Sequence, residues 1–369
     1  MNILLITQED VLQGSTYSVS YLAKGLANRG HNVCVAARPG SLLEELLQGS
    51  KAVFVPMTLR SRFSPQSLRE LVALVREKKI QVINAQSSKD RYLAILARWF
   101  YGINCVVLHT RRQTPRADGG WVQKTIYVKG TDKIIVISEE LKRIFVKLGY
   151  PEKHFQVIHN GIPAEKYQMW SPEKVEQFRK ELGLQPGDVV IGSVSRWKKQ
   201  EQIIRALPLL NRPDIKVVFV GVRSGVFDAL VKELGIANPI LYVDEASGSE
   251  VLNYYKLFHL NILASITDGF GLVLLESMAM GCPVIATNFG GIKDVVQHGY
   301  NGLLFENENI GQLAAHIKQL LADDGLRQQL IKNGLTTARE TFSMERTLDR
   351  YEHFYQTMWM QRSQAHPNG

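Results

Sequence analysis

Short apolar runs alternate with amphipathic stretches along the first half of the chain. Near-continuous apolar runs of four to six residues suit strands that are covered on both faces of a sheet. The intervening segments, such as 18–30 and 67–79, have helical spacing, and Gly30 provides a stop signal for the first of them. This βαβ rhythm predicts an α/β protein with a parallel, doubly wound sheet. The predicted strands are 2–7, 31–37, 51–56, 81–85, 104–110 and 133–138.

The same rhythm begins again after residue 164, which predicts a second doubly wound domain. We expect the first domain to span 1–164 and the second to span 165–344. Gly161 and Pro163, between the two sets of strands, are either hinge residues or an ordinary turn at a strand end. A last helix, spanning about 345–369, carries aromatic residues at helical spacing, which predicts a packing face rather than a ligand site. The strands predicted for the second domain are 188–195, 216–221, 239–244, 260–265 and 283–287.

Length and composition agree with two folded domains. The chain has 369 residues, of which 45% are hydrophobic and 21% charged, and too little Gly and Pro for a fibrous or disordered protein. Cys34, Cys105 and Cys282 lack the spacing of a zinc site or a disulfide framework, so we expect a reducing compartment. The opening MNILLIT has no basic segment, and no apolar run reaches about 18 residues, so we expect neither a secretion signal nor a spanning helix.

The excess positive charge lies entirely in the first domain. Residues 1–164 hold 23 Lys and Arg against 12 Asp and Glu, whereas 165–369 hold 21 against 23. One interpretation is that the first domain meets an anionic partner, such as a phosphorylated substrate, a membrane surface or a nucleic acid. The other is that the charge only keeps the surface soluble. No helix-turn-helix, zinc-finger or RNA-binding signature accompanies the charge, so we expect no nucleic acid partner.

Two carboxylates follow the predicted strand 260–265. Asp268 precedes a Gly-Phe-Gly turn, and Glu276 lies one to two turns inside the next helix. Gly269 and Gly271 allow a ligand to approach the backbone, and the free amides at the start of the helix favour an anion. A carboxylate in this apolar helix needs good hydrogen bonds, which a vicinal diol supplies, so we interpret Glu276 as a ribose ligand. The alternative is a solvated glutamate that merely suits the helix dipole.

This segment resembles the motif of the retaining glycosyltransferases of family 4 with the GT-B fold, in which an acidic residue is followed by seven residues and then Glu. Asp268 departs from the commoner Glu at the first acidic position. The resemblance covers nearly the whole chain. It implies two Rossmann-like domains that face each other across a cleft, with the C-terminal helix packing back on the first domain. The further matches are Gly281, Pro283, Gly290-Gly291, NGLLF (301–305), VISEEL (136–141), IHNGIP (158–163) and IGSVSR (191–196).

The resemblance also implies roles for individual residues. The second domain binds a nucleotide-sugar donor, and Arg196 with Lys198 or Lys199 stands where the family contacts the donor diphosphate, whose developing charge cations stabilise. His109 stands where the family has a histidine that contacts the donor sugar, although a histidine at a strand end is more often structural. The implied catalytic residues are Asp268, His109, Arg196 and Lys199, and the implied donor-binding residues are Gly14, Ser15, Arg196, Lys198, Lys199, Gly269, Phe270, Gly271, Leu272 and Glu276.

The first domain is the one that the family uses for its acceptor. Arg111, Arg112 and Arg116 either receive an anionic or lipid-linked acceptor or form solvated surface. The aromatic and basic stretch 89–102 is either an interfacial helix or, because it lies between predicted strands, a core helix. We expect a hexose to be transferred from a UDP- or GDP-sugar in bacterial envelope polysaccharide or lipopolysaccharide synthesis. We also expect a cytoplasmic protein, with contact to the inner face of an anionic plasma membrane as a hypothesis.

The family mechanism is front-face substitution through an oxocarbenium-like state, with the departing phosphate as the base. No D-x-D motif supplies metal carboxylates, so we expect neither a metal nor another cofactor. No G-x-G-x-x-G follows a strand and no Tyr-x-x-x-Lys occurs, which disfavours a nicotinamide-dependent enzyme. Two alternatives stay open, namely a nucleotide-sugar epimerase of similar shape and a non-catalytic protein that binds a membrane surface or a polyanion.

Overall fold

The computed structural model describes residues 1–8, 14–59, 64–113, 120–246 and 248–365. The chain divides into two compact units, of which the first comprises Met1–Gly161 with Met344–Gly369 and the second comprises Ile162–Ser343. This division lies three residues before the expected boundary at 164. No helix within the described ranges combines the length and the apolar character needed to cross a membrane.

The first unit is built on a parallel sheet. Its strands are β1 (Asn2–Ile6), β2 (Asn32–Ala37), β3 (Val53–Pro56), β4 (Val82–Ala85), β5 (Val106–Arg111), β6 (Lys133–Val136) and β7 (Phe155–Val157), and its helices are α1 (Gly14–Asn28), α2 (Leu42–Leu47), α3 (Pro65–Glu77), α4 (Ser88–Tyr101), α5 (Gly120–Gly130) and α6 (Glu139–Lys147). The strand order is β3-β2-β1-β4-β5-β6-β7. The order reverses between β1 and β4, and ligands of such sheets bind beyond the carboxyl ends of the strands at this point.

Both faces of the central strand β1 are buried, which explains why its residues after Asn2 are all apolar. Ile3 and Leu5 of β1 pack into the cluster that includes α1, while Leu4 and Ile6 pack into the cluster that includes α3 and α4. All four side chains are at most 1% exposed. The continuous apolar runs therefore mark central strands of a sheet with helices on both sides.

The second unit repeats this architecture. Its strands are β8 (Val189–Val194), β9 (Ile215–Val220), β10 (Ile240–Val243), β11 (Leu260–Leu263), β12 (Val284–Thr287) and β13 (Leu303–Phe305), and its helices are α7 (Pro172–Glu181), α8 (Glu201–Leu210), α9 (Asp228–Glu233), α10 (Val251–Leu257), α11 (Leu272–Ala279), α12 (Ile292–Val295), α13 (Ile310–Ala322) and α14 (Asp324–Thr336). The sheet is parallel in the order β10-β9-β8-β11-β12-β13, so the reversal lies between β8 and β11. The predicted α/β class with two parallel sheets is confirmed. The sequence pattern missed only the short strands β7 and β13 among those described.

The C-terminal helix α15 (Met344–Ala365) belongs to the first unit. It packs so closely against α1 that a Cβ atom on Gly25 would lie 2.5 Å from the side chain of Leu348. Tyr351 and Tyr355 are buried, and the hydroxyl of Tyr355 accepts a hydrogen bond of 2.7 Å from the side-chain amide of Asn84. The aromatic stripe of this helix is therefore a packing face, as its spacing predicts.

Helix α4 is mainly a core helix. Leu93, Ala94 and Ala97 are fully buried in the cluster against the sheet, and Ile95 is fully buried beside Gly130 of α5. The last turn of the helix exposes its aromatic side chains: Trp99 is 46%, Phe100 73% and Tyr101 38% exposed. Most of the stretch 89–102 is therefore a core helix, and its C-terminal end carries an exposed aromatic surface.

Candidate functional site

The carboxyl ends of β11 and β12 are tied together in the second unit. The hydroxyl of Thr287 donates to the Ser265 carbonyl oxygen over 2.5 Å and accepts from the Ser265 amide over 3.1 Å. Both residues are fully buried. The segment 265–271, which we call the acidic loop, therefore leaves the sheet from a fixed point.

A second loop supports the acidic loop through direct backbone contact. A Cβ atom on Gly291 would lie 1.9 Å from the Gly269 carbonyl oxygen, and one on Gly290 would lie 2.9 Å from the Asp268 carbonyl oxygen. Gly290 also has a φ of 55°, in the region that side chains disfavour. Only glycine fits at 291, because the neighbouring atom belongs to the backbone and cannot rotate away.

The acidic loop ends at Gly271, which begins helix α11 with a φ of 88°. The first intrahelical contact joins the Leu274 amide to the Gly271 carbonyl, so the amides of Leu272 and Val273 lie at the open N-terminus of the helix. The side chain of Phe270 is only 3% exposed and its ring packs edge-on against Phe342, with 5.4 Å between centroids. Phe270 therefore anchors the end of the acidic loop through its ring.

Asp268 forms an ion pair with Lys198, which follows β8. Each of the two side chains is 20% exposed. The turn that presents Lys198 is folded by Gln200, whose side-chain amide donates to the Ser195 hydroxyl over 2.7 Å and to the Arg196 carbonyl over 2.9 Å. The loops after two neighbouring strands, β8 and β11, thus bring a cation and a carboxylate together.

The two adjacent lysines have different partners. Lys199 places its Nζ atom 3.5 Å from a Glu308 carboxylate oxygen and 3.7 Å from one of Glu201. Its amide donates to the Ala264 carbonyl over 3.3 Å, but its side chain does not pair with Asp268. Arg196 is exposed and forms no ion pair with any described residue. The structure therefore brings Lys198, rather than Lys199, to the first acidic residue.

Glu276 is buried and paired, not solvated. The residue is 9% exposed, and Lys166 contacts its Oε1 atom in an ion pair. Lys166 lies in the short 3₁₀ segment Ala164–Gln168 and is itself 8% exposed. Sequence reasoning missed this lysine, since it lies 110 positions before Glu276 and follows the turn at Gly161 and Pro163 without any chemical motif.

The first unit carries a buried histidine near the carboxyl end of β5, and one of its two ring nitrogens has no hydrogen-bond partner. His109 is 1% exposed, its Nδ1 atom lies 2.9 Å from the Ala85 carbonyl oxygen, and its Nε2 atom has no hydrogen-bond partner. Burial, with the charges of Arg91 and Arg111, lowers the pKa of His109 well below its usual value. The ring is therefore neutral at pH 7. Since Nδ1 must donate to the carbonyl, Nε2 is an acceptor that suits a hydroxyl group.

Two predicted acceptor arginines, Arg111 and Arg112, lie at the end of β5 and directly after it. Arg112 donates to Asn160 over 2.9 Å and to Gln86 over 2.7 Å, and the Arg111 guanidinium lies 5.3 Å from the centre of the Phe145 ring. Arg116 lies outside the described residues.

A small cavity at the same edge of this sheet is lined in part by Ser15, Gln86 and Arg112. Gly14 begins α1 and is exposed, while the hydroxyl of Ser15 is buried without a hydrogen-bond partner. The structure thus brings Ser15 close to one of the predicted acceptor residues, within the first unit.

Two family models match the chain. The model described as Glycosyltransferase Family 4 matches residues 12–166, and the model described as Glycosyl transferases group 1 matches residues 174–337. The chain belongs to the family 4 glycosyltransferases with the GT-B fold. The predicted family is therefore confirmed by both halves of the chain.

Similar proteins are found among curated sequences and solved structures. The N-acetyl-alpha-D-glucosaminyl L-malate synthase of Bacillus anthracis is 28% identical over 62% of this chain and 60% of its own length. The D-inositol 3-phosphate glycosyltransferase of Mycobacterium marinum is 28% identical over 60% of this chain and 49% of its own length. The matches thus span about half to three fifths of these relatives. The crystal structure of Anabaena Alr3699/HepE in complex with UDP-glucose covers 97% of this glycosyltransferase and 100% of its own chain, with a TM-score of 0.80 and 21% identity.

We expect the substitution Gly291→Ala to destabilise the second unit by about 1–3 kcal/mol, because a methyl group cannot share space with the Gly269 carbonyl. The measurement is urea unfolding. Gly311→Ala is the matched control, because Gly311 lies in helix α13 with its nearest neighbour 3.8 Å from a built Cβ atom, so alanine should be neutral or stabilising there. Equal unfolding midpoints for the two variants would show that the loops are not in backbone contact.

Proposed function

We propose that this family 4 glycosyltransferase transfers a hexose from a nucleotide-diphosphate sugar to an anionic acceptor, with retention of the anomeric configuration. The observation that carries the proposal is the charge arrangement of the second unit. Two carboxylates, Asp268 and Glu276, lie on one glycine-supported loop and helix, and each is held by a lysine from another segment. This arrangement suits a ligand with hydroxyl groups at both ends and a dianion in the middle.

Glu276 is the candidate ligand of the ribose. Lys166 contacts the Oε1 atom of its carboxylate, and we propose that the carboxylate also accepts hydrogen bonds from the ribose diol. Hydrogen bonds to an ionised acceptor are stronger than neutral ones. The burial of Glu276 favours this role over that of a solvated glutamate that only suits the helix dipole.

The diphosphate is assigned to Arg196, Lys198 and the open N-terminus of α11. Breaking the bond between sugar and phosphate leaves negative charge on the nucleotide, and preorganised cations and amides stabilise that charge as it develops. Arg196 is exposed and available to a ligand, while Lys198 already lies at Asp268. We therefore propose Lys198 for the contact with the diphosphate, whereas the resemblance implied Lys198 or Lys199 for that contact and named Lys199 among the catalytic residues.

Asp268 is the candidate ligand of the donor sugar in the second unit. His109, considered within the first unit, offers the unpartnered Nε2 atom of its ring to a hydroxyl group. A carboxylate and a neutral imidazole Nε2 atom both accept hydrogen bonds, so each can take a sugar hydroxyl. We propose front-face substitution in which the departing phosphate removes the acceptor proton. This chemistry requires no metal, and metal independence stays a prediction.

The names of similar proteins support the choice of substrates. The Anabaena structure holds UDP-glucose, which favours a UDP-sugar as the donor. One curated relative is named for L-malate and another for D-inositol 3-phosphate, and both are anions. The net positive charge of residues 1–164 agrees with an anionic acceptor. We propose synthesis of envelope polysaccharide or lipopolysaccharide in the cytoplasm as the setting.

We expect UDP and a UDP-hexose to raise the unfolding temperature of the protein more than GDP or ADP compounds, because a ligand that binds only the folded state stabilises it by about 2.7 kcal/mol at 100 times its Kd.

Glu276→Gln should weaken donor affinity by about tenfold or more, since the amide loses a charge-assisted hydrogen bond. Glu308→Gln, which alters an exposed carboxylate beside Lys199, should bind the donor normally. Arg196→Ala should chiefly lower turnover.

A paired variant separates binding from folding. Glu276→Gln alone leaves Lys166 buried without its anion, which is costly, whereas Glu276→Gln with Lys166→Met removes both charges. The paired variant should regain thermal stability without regaining donor affinity.

Incubating the wild type with the UDP-hexose alone and recording proton NMR tests the reaction class. Slow release of the sugar with its original anomeric configuration supports a retaining transferase, and an epimerised sugar nucleotide supports the epimerase alternative. An absence of any stabilisation by nucleotides would refute the donor site.

We also propose that the first unit contacts an anionic membrane surface through the exposed end of α4. Trp99, Phe100 and Tyr101 form a small aromatic surface there, and aromatic rings of this kind are favoured at the interface between lipid and water. The excess of Lys and Arg in residues 1–164 supplies electrostatic attraction to anionic lipids.

We expect the protein to sediment with vesicles that contain anionic lipid, and to bind them less at high salt because ions screen the attraction. The double substitution Trp99→Ser and Phe100→Ser should reduce binding severalfold. Trp197→Ser, which removes an exposed tryptophan from the second unit, serves as the control. Equal binding to neutral and anionic vesicles would contradict the proposal.

A further inference from the structure

A fully buried guanidinium lies next to His109 in the first unit and has no assigned role. Arg91, in the first turn of α4, is only 1% exposed, and its Nε atom has no hydrogen-bond partner. Burial lowers the pKa of Arg91 to about 10, so the side chain still carries its positive charge at neutral pH. A buried charge of this kind is costly unless something anionic compensates it.

No carboxylate among the described residues lies within ion-pair distance of Arg91. The adjacent Asp90 accepts a hydrogen bond from the Gln8 amide over 3.1 Å instead. The other titratable groups that act on Arg91 are the like-charged Arg111 and the phenols of Tyr92, Tyr127 and Tyr150. The charged and titratable groups with the largest effect on Arg91 are therefore an arginine and three phenols, and no carboxylate is among them.

Arg98, two turns further along the same helix, is a structural arginine for comparison. Its guanidinium pairs with Asp132 and donates to the Cys105 carbonyl over 2.9 Å. Helix α4 thus carries one arginine with a carboxylate partner and one without. The contrast indicates that the missing anion at Arg91 has a functional reason.

The guanidinium of Arg91 is held in a defined plane. Its Cζ atom lies 3.2 Å from the centre of the Tyr127 ring. The side-chain amide of Gln123 bonds the hydroxyl of Tyr127 over 2.8 Å and that of Tyr92 over 3.0 Å, which fixes both rings. Stacking on an aromatic face compensates part of the desolvation and leaves the edge of the guanidinium for bonding to a planar anion.

The position of Arg91 relates it to the predicted acceptor residues. Arg91 lies in the helix that follows β4, and Arg111 is the last residue of β5. These two strands are neighbours in the sheet, and Ala85 of β4 pairs with His109 of β5. Both arginines act on the buried imidazole, because their charges contribute to its lowered pKa. Arg91, Arg111 and His109 therefore gather at one edge of one sheet.

We infer that Arg91 is the innermost cation of an oxyanion site in the first unit, which holds a carboxylate or phosphate group of the acceptor. The inference rests on the proposed function, since it names the group by which that function recognises its acceptor. Arg91 was not among the arginines that the sequence pointed to. An oxyanion bonded to the guanidinium supplies the missing negative charge, so binding relieves a cost that the free protein carries.

The test compares anion responses of variants of the full chain. Sodium phosphate and sodium L-malate, each against sodium chloride at equal ionic strength, are titrated in calorimetry and in thermal unfolding. We expect at least one of the two anions to bind the wild type and to raise its unfolding temperature. Arg91→Met should weaken that binding by about tenfold or more, and Arg91→Lys should fall between, because lysine keeps the charge without the planar fork. Arg69→Met, at an exposed position in the same unit, should behave as the wild type.

Two further measurements make the outcome unambiguous. Without any anion, Arg91→Met should unfold at the same temperature as the wild type or higher, since it removes an uncompensated buried charge. Arg196→Ala should keep the anion response, which excludes binding at the donor diphosphate position. A response that survives in Arg91→Met, or one lost in Arg196→Ala, would overturn the inference. So would the absence of a response to both anions, or an anion-free Arg91→Met that unfolds well below the wild type.

UDP distinguishes this inference from the proposed function. Arg91→Met should retain the wild-type stabilisation by UDP, because its site lies in the first unit. A protein that responds to phosphate or malate through Arg91 but never to UDP would retain the oxyanion site and refute the donor site. A protein that responds to UDP but to neither phosphate nor malate would retain the donor site and refute the oxyanion site.

Discussion

The contact between two backbones, Gly269 on Gly291, is the constraint on which the candidate donor site depends. It allows the acidic loop to lie directly on the loop that follows β12, so no side chain separates the two segments. Thr287 holds the start of the acidic loop, and the ring of Phe270 holds its end. A loop fixed at three points presents Asp268 and the start of α11 with little conformational freedom. Preorganisation of this kind reduces the free energy lost when a flexible ligand is bound.

The two units differ in how they treat buried charge. In the second unit both acidic residues have lysine partners, so these two carboxylates are already paired before any ligand arrives. In the first unit Arg91 is buried without a carboxylate partner among the described residues, and its guanidinium instead stacks on the ring of Tyr127. The unpaired positive charge of Arg91 attracts an anion more strongly than it attracts a neutral diol. The contrast agrees with the proposal that paired carboxylates of the second unit bind the hydroxyl groups of the donor, whereas an unpaired cation of the first unit binds an anionic group of the acceptor.

The sequence predicted the architecture well because fully buried parallel strands must be apolar on both faces. The strands such as β1 and β11 therefore stand out as continuous runs, and two sets of them predict two sheets. The strands β7 and β13 were missed because three residues at the edge of a sheet leave almost no pattern. Asp268 and Glu276 were found from their spacing after a strand, since a loop and the next helix must lie at the same edge of the sheet.

The amino-acid sequence by itself determined the doubly wound sheets, the glycines of the acidic loop and the identity of its two carboxylates, because these depend on local periodicity and on the steric freedom of glycine. Only the tertiary structure decided which cations meet them. Lys166 is distant in sequence from Glu276, and Lys198 differs from Lys199 only in the direction in which the turn presents its side chain. The missing anion at Arg91 likewise became visible only when its neighbours were known. Pairing between charges depends on distances through space, and spacing along the chain does not encode these distances between separate elements.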